Sequence, residues 1–171
     1  GASVVMTTKG DMVDYNTSRQ RLGIGSTGQV LTVTAGLPAW EDAGHLTHNV
    51  VVTFACGDET TAIGATGQVL SFRMPFAMTL NAASAGIKGS LVTAGTGVNL
   101  LTVDINESGS TILSTKLTFD ATETTTTTAA TPVVISDVNL ADDAIITVDI
   151  DQLDSGGVAA GLKISLIGSL A

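Results

Sequence analysis

Apolar and polar residues alternate in short runs along most of this chain, and that alternation predicts β-strands. The clearest case is the stretch 99–115, where every second residue from Leu101 to Ile105 is apolar and the residues between them are polar. Side chains on a strand point alternately to its two faces, so one face of this run is buried and the other is solvated. The tetrapeptide ESGS inside the stretch predicts a hairpin turn, because Gly109 can adopt a positive φ.

Similar runs follow one another through the rest of the chain, separated by glycine, proline, serine or asparagine. They make roughly eight short strands at a spacing of about 8–12 residues, which is typical of an antiparallel sandwich or a jelly roll. The segment 139–145 has room for one helical turn, and no run predicts a helix of ordinary length. The other predicted strand regions are 50–55, 68–74, 76–94 (two strands), 116–121, 131–136, 144–153 and 161–170.

The first 49 residues have a different pattern. They contain short β-like runs at Leu22–Ile24 and Gln29–Val33 between glycine-rich turns, and too few apolar residues for a core of their own. The polar stretch 41–49 is typical of a linker. We therefore predict an all-β protein with an extended N-terminal segment, 1–49, used for anchoring and trimerisation, followed by a sandwich or jelly-roll domain, 50–171.

Charge narrows the classes of partner. The chain of 171 residues has a formal net charge of −9, and most of the acidic residues lie after residue 50. Nucleic-acid binding needs clustered Lys and Arg to neutralise phosphates, so we expect no nucleic-acid partner. An anionic membrane surface is disfavoured for the same reason, and no apolar run approaches the ~20 residues that span a bilayer.

Two aspartates are the strongest candidates for chemistry. Asp149 and Asp151 are two apart on one predicted strand, so their carboxylates share a face about 7 Å apart. That spacing suits a weak Ca²⁺ site, with Asp142 and Asp143 nearby, or a general acid–base pair. The simpler interpretation, which we favour, is a solvated outer face opposite a buried Val/Ile face.

The remaining reactive side chains give no catalytic pattern. His45 and His48 form an H-x-x-H pair in the polar linker, where no third metal ligand is nearby, although copies of one histidine would meet on a threefold axis of a trimer. The single cysteine, Cys56, cannot form an internal disulfide and is interpreted as a small buried apolar residue. The chain lacks nucleophile-elbow, phosphate-loop and zinc-ligand motifs, so we expect neither an enzyme nor a cofactor.

One segment, residues 7–40, resembles a segment common in bacteriophage tail-fibre and other virion proteins. The pattern runs from T-T-K-G-D through an Arg-Leu pair to a G-x-x-G-Q-V-L-T stretch and closes on a tryptophan. The resemblance implies a virion structural protein in which this segment assembles with copies of itself and with its neighbours. The matching residues that we expect to serve assembly or anchoring are Lys9, Asp11, Arg21, Leu22, Gln29, Leu31 and Trp40.

Most of residues 63–170 is similar to a C-terminal β-domain of phage and prophage structural proteins. This resemblance implies a β-sandwich or jelly roll, commonly homotrimeric, and carries no enzymatic residues. Because 171 residues leave no room for a long fibre shaft, we expect a capsid decoration or short head-fibre protein that binds the major capsid protein on the outside of the virion. The alternatives are a tail-fibre protein that binds a host surface glycan or protein, with a tail protein as its partner, and a secreted carbohydrate-binding module.

An octapeptide occurs twice with a single change. The sequence IGSTGQVL at 24–31 returns as IGATGQVL at 63–70. Glycine permits a tight turn and Val-Leu favours a strand, so we interpret the repeat as a reused turn-and-strand unit. A local duplication without functional meaning explains it equally well.

Overall fold

A computed structural model describes residues 5–15, 18–42, 49–82 and 85–171, and these residues are all-β, as predicted. They contain sixteen strands, all of whose ladders are antiparallel, and no α-helix. The first four strands are β1 Met12–Tyr15, β2 Arg19–Leu22, β3 Gln29–Thr34 and β4 Leu37–Asp42. The others are β5 Val50–Ala55, β6 Gly67–Arg73, β7 Met78–Leu80, β8 Ile87–Ser90, β9 Leu101–Glu107, β10 Ser110–Thr111, β11 Leu113–Thr115, β12 Leu117–Phe119, β13 Val134–Ile135, β14 Asn139–Leu140, β15 Ile145–Gln152 and β16 Lys163–Leu170.

The chain divides into two compact units, Gly1–His48 and Asn49–Ala171. The described part of the first unit consists of two hairpins, β1 with β2 and β3 with β4. Strand β3 turns into β4 through Ala35 and Gly36, both at positive φ (52° and 82°), as a two-residue type I′ turn requires.

The strand predicted at Leu22–Ile24 is wrong for its last two residues. Strand β2 ends at Leu22, and the next two residues leave the ladder. The reason is that their backbone groups bind side chains: the Gly23 carbonyl accepts from Trp40 and the Ile24 N–H donates to Asp11.

The second unit is an antiparallel sandwich, as predicted. One sheet has the order β10-β9-β15-β6, with β12 also on β9, and the other has the order β14-β7-β16-β5, with β8 also on β16. A short separate pair joins β11 to β13. Between the two sheets the inward side chains of the central strands are almost completely buried, at 0–1% exposure: Ile146, Val148 and Ile150 of β15 and Ile164 and Leu166 of β16.

Several local predictions can be compared with this sandwich. The hairpin predicted within 99–115 is present, and Ser108 and Gly109 make its turn at φ of 50° and 88°. No helical turn occupies 139–145: β14 pairs with β7, and the following turn has Asp143 at a φ of 58°, which a helix cannot accommodate. The described residues of the unit form twelve strands instead of roughly eight: the return strand of the hairpin is divided into β10 and β11, and β14, of two residues, is too short to show alternation.

Candidate functional site

Asp11 is the one buried residue among the described residues of the first unit. Its carboxylate lies at the meeting point of three parts of that unit. One oxygen accepts hydrogen bonds from the backbone N–H groups of Thr7 and Thr8, at 3.1 and 2.9 Å, and from Arg21 at 3.1 Å. The other accepts from the N–H of Ile24 at 3.1 Å. The acid of the T-T-K-G-D pattern therefore binds the segment before β1, strand β2 and the loop after β2 together.

The surroundings of Asp11 favour its ionised form. Burial by itself raises its pKa, but the hydrogen bonds from Thr8, Thr7 and Ile24 and the positive charge of Arg21 together hold the pKa below the ordinary range. Arg21 also donates to the hydroxyl of Thr7. Gly10, at a φ of 96°, makes the turn that brings the donors of this segment to the carboxylate.

Gln29 closes the turn that precedes β3. Its N–H donates to the Ser26 carbonyl at 3.1 Å, and its side-chain oxygen accepts from the Ser26 N–H at 2.8 Å. Gly28 lies between them at a φ of 86°, which is the left-handed region that glycine adopts without strain. Gln29 thus satisfies both the N–H and the carbonyl of Ser26, and this local geometry explains why a glutamine occupies position 29.

Trp40 joins strand β4 to the loop after β2. Its indole nitrogen donates to the carbonyl of Gly23 at 2.7 Å, and its ring lies against Gly25. On strand β3, Leu31 is its cross-strand partner. The tryptophan that ends the resemblance is thus half-buried inside its own unit, and its predicted role in anchoring the unit to a partner stays a prediction.

The other predicted assembly residues make none of the side-chain hydrogen bonds described above. Lys9 is exposed, and Leu22 is half-buried opposite Met12 in the β1–β2 hairpin. Leu31 is 46% exposed. The structure therefore brings together Asp11 and Arg21 and does not bring Lys9 to them.

The first unit presents much apolar surface for its size. Seven large apolar side chains are exposed, and no apolar side chain among its described residues is buried. Exposed apolar side chains of this kind are available for burial against a partner. The exposed residues are Val5, Met6, Val13, Tyr15, Ile24, Leu31 and Val33.

The second octapeptide copy keeps one feature of the first. Gly67 corresponds to Gly28 and also has a positive φ, 108°, and a strand starts at or directly after each of the two glycines. The surroundings differ: Ile63 packs against the core of the sandwich and donates its N–H to Ala159, whereas Ile24 is 57% exposed. The repeat is therefore a shared turn-and-strand start in two different settings.

Asp149 and Asp151 both lie on the outward face of β15, as the period of two predicts. Protein groups already bind each of them. Asp149 accepts from the side chains of Asn106 and Thr147, at 2.8 and 2.9 Å, and Asp151 is bonded to Lys116. Among the described residues, no group of three or more His, Cys, Asp or Glu side chains is arranged to hold a metal ion.

Asp104 was missed as a candidate. It is buried on β9 directly opposite Asp149, so two like charges face each other across the ladder, an unfavourable pair unless a cation is close. Lys116 supplies that cation, 3.1 Å from Asp104, and the Thr111 hydroxyl donates to Asp104 at 2.6 Å. The signal in the sequence was the similarity of TVDIN and TVDID, two strands with an acid at the same position.

Lys116 is held firmly in its charged form. Hydrogen bonds to Asp151 and Asp104 raise its pKa, and partial burial opposes them only weakly. A strongly protonated lysine is a poor nucleophile and a poor general base. The cluster therefore has a structural role: Lys116, between β11 and β12, forms ion pairs with Asp104 of β9 and Asp151 of β15.

Cys56 is buried, as predicted, and burial raises the pKa of its thiol to about 12. Its neighbours form an open cavity of about 210 Å³ that reaches Ile63, Ala65 and Val69. The histidine pair of the linker, His45 and His48, lies outside the described residues.

Comparison of the chain with known protein families, with curated proteins and with solved structures finds no match. Among the residues described, no helix has the length and hydropathy of a transmembrane span.

Proposed function

We propose that this chain is a non-enzymatic structural protein of a bacteriophage virion, a homotrimeric capsid decoration or short head-fibre protein. The proposal is supported by what the residues of the segment that resembles virion proteins do in the structure. Asp11, Arg21, Gln29 and Trp40 make the polar contacts that hold the first unit in shape. The segment whose sequence resembles virion proteins therefore corresponds to a distinct structural unit, which supports the proposal.

The exposed apolar side chains of that unit support an assembly role. A unit with no buried apolar side chain among its described residues gains little from its own hydrophobic effect. Burial against a partner contributes roughly 25 cal/mol per Å² of apolar surface, so the shell and neighbouring copies are the natural source of its stability. Val5, Tyr15 and Val33, at 66–75% exposure, are the most exposed of the apolar side chains available for such burial.

The function that follows is mechanical. The first unit grips the major capsid protein and neighbouring copies, and many copies together hold the subunits of the shell against internal pressure. The acidic second unit projects outward, where its negative charge opposes aggregation of particles.

The location of the protein on the particle tests this proposal. Virions are labelled with a gold-conjugated antibody to the chain and imaged by electron microscopy. Label at many sites on the head supports a decoration or head-fibre protein. Label confined to the tail supports instead the alternative of a tail-fibre protein that binds a host surface glycan or protein. Absence of label from the particles would contradict both virion proposals. The remaining alternative, a carbohydrate-binding module, is then tested by glycan screening.

A pair of variants tests the grip. Val33→Asp places a charge on the exposed apolar surface of the first unit, and Val98→Asp places the same charge on a 91% exposed loop residue of the second. Virions are exposed to each purified variant and bound copies are counted. We expect Val33→Asp to lower occupancy at least tenfold and Val98→Asp to leave it unchanged. Equal occupancy for both variants would rule out this surface as the contact.

A further inference from the structure

One side of the sandwich is open. Strand β5 ends one sheet and β6 ends the other, and the rings of Phe54 and Phe72 meet there with centroids 4.8 Å apart. Among the described residues, β5 pairs only with β16 and β6 only with β15. Each therefore leaves one row of backbone N–H and C=O groups unpaired on the same side of the unit. We call this side the β5–β6 edge.

The apolar side chains at this edge are less covered than those in the centre of the sandwich. The inward residues of β5 and β6 are only half-buried, although they face the same interlayer space as the fully buried residues of β15 and β16. Outward residues add apolar surface, with Val51 at 54% and Val69 at 36% exposure. The cavity beside Cys56 continues this surface, since Val69 lines it. The half-buried inward residues are Val50, Val52, Phe54, Leu70 and Phe72.

These two strands carry little of the usual protection of a free edge: β6 has one bulge, at Val69, and β5 has none. Exposed edge strands are commonly short or interrupted by charges or proline, because an unprotected edge pairs with another chain. The strands at the other ends of the two sheets are shorter: β10 and β14 have two residues each, β12 has three and β8 has four. Strands β5 and β6 have six and seven residues, and their only charge is Arg73 at the end of β6.

Charge identifies the occupant. The chain has a net charge of −9, so two copies repel each other wherever their acidic groups approach. Strands β5 and β6 contain no acidic residue, and they offer each copy both unpaired backbone groups and apolar side chains. Two acids beside them are already bound within the chain: Asp143 pairs with Arg73, and Asp58, which lines the cavity, accepts from Thr60 and Thr61. An unlike, basic partner would be drawn to the acidic surfaces instead. We infer that the β5–β6 edge binds other copies of this chain and is the interface between the sandwich domains of its oligomer.

This inference rests on the self-association in the proposed function and not on the virion location. Its test uses the purified full chain, whose mass is 17.2 kDa, with molar mass measured by light scattering and sedimentation over a wide concentration range. We expect the wild type to form an oligomer, with three times the monomer mass for a trimer. A chain that is monomeric at every concentration would overturn the inference, because the edge would then be covered by the chain itself or by an unlike partner.

Charged variants locate the interface. Val51→Lys with Val69→Lys places two lysines on the edge, and Val134→Lys with Val158→Lys places two on valines of similar exposure, 44% and 41%, elsewhere in the unit. We expect the edge variant to dissociate at a concentration at least tenfold higher than the wild type, and the control to match the wild type. Unchanged association of the edge variant, or equal weakening of both, overturns the assignment. Circular dichroism verifies that each variant is folded.

If the edge variant does not fold, hydrogen exchange of the wild type provides a second test of the interface. The N–H groups of β5 and β6 that point away from their partner strands are expected to be protected in the oligomer and to exchange at least tenfold faster after dilution to monomer. Exchange that does not depend on concentration overturns the inference. If gold labelling finds no protein on virions while the oligomer persists, the virion proposal fails and the interface stands.

Discussion

Gly25 lies directly under the indole ring of Trp40. A β-carbon at this position would be 2.5 Å from Cδ2 of the ring, closer than atoms can approach. The same indole donates to the carbonyl of Gly23. The small residue and the tryptophan are thus two halves of one contact, which connects strand β4 to the loop after β2.

The first prediction follows from this contact. Gly25→Ala is expected to displace the Trp40 ring and destabilise the first unit by about 1–3 kcal/mol, the usual cost of overpacking. Trp40 is the only tryptophan of the chain, so its fluorescence reports on this unit alone. We expect a red-shifted emission and unfolding at lower urea concentration. Gly23→Ala is the control, because a β-carbon there would be 4.0 Å from its nearest neighbour, Asp11. Equal effects of the two changes would contradict the contact.

The second prediction concerns pH. The folded pKa of Asp11 lies below its unfolded value, so its contribution to stability is present above the ordinary Asp pKa of about 3.9 and is lost as pH falls through the folded value. Trp40 fluorescence at fixed urea concentration should therefore show the first unit unfolding in acid.

Asp11→Asn tests the assignment of this transition. The variant is expected to destabilise the first unit at neutral pH and to flatten its acid dependence, because a neutral amide cannot pair with Arg21. Asp14→Asn is the control, since Asp14 makes only exposed hydrogen bonds. If the Asp11→Asn variant still unfolds in acid as the wild type does, a group other than Asp11 causes the transition.

The third prediction concerns the acidic cluster of the second unit. Lys116→Met removes the cation that pairs with Asp104 and Asp151, and leaves the buried Asp104 facing Asp149 without it. The expected loss is about 1–2 kcal/mol at pH 7, reduced from the full cost of a buried unpaired charge because the Lys116 side chain is 41% exposed. The raised pKa of Lys116 means that its contribution is complete below the ordinary lysine pKa and is lost only in strong alkali.

Urea unfolding followed by circular dichroism measures this loss. Lys163→Met is the matched control: Lys163 pairs with Glu59, which is 62% exposed, so its removal should cost less than about 1 kcal/mol. Equal losses of unfolding free energy in the two variants would show that the ion pairs of Lys116 contribute no more than a surface ion pair.

The fourth prediction concerns Cys56. Because burial raises the pKa of its thiol to about 12, the folded protein should react with a thiol reagent at pH 8 about a thousandfold more slowly than the unfolded chain. The raised pKa also means that stability falls as pH rises above the unfolded thiol value of about 8.5. Labelling in a urea series, read by mass spectrometry, should follow the unfolding of the second unit. Rapid labelling without urea would show that the site opens locally.

Prediction from the sequence succeeded where an element is long enough to repeat its pattern. The run 50–55 is strand β5, and the ESGS turn has Gly109 at positive φ. It failed for β14, which forms because a neighbouring strand offers hydrogen bonds. Strands of two residues have no alternation to detect.

For the candidate site, the sequence likewise identified some features and missed others. The pattern of residues 7–40 singled out Asp11, Arg21, Gln29 and Trp40, but it did not indicate what each contacts. Burial of Asp11 is invisible in the sequence, since an aspartate in a polar stretch is ordinarily exposed. Lys116 was missed because the acids it neutralises come from different strands.

The sequence by itself determined the all-β class, the antiparallel sandwich and the turn chemistry, because alternation and glycine placement act over a few neighbouring residues. Only the tertiary structure decided which strands end the two sheets, which carboxylates are paired and which apolar side chains stay uncovered. Those properties depend on contacts between residues far apart in the chain, as when Lys116 meets Asp151 or Phe54 meets Phe72. No local pattern records which distant partner will be near.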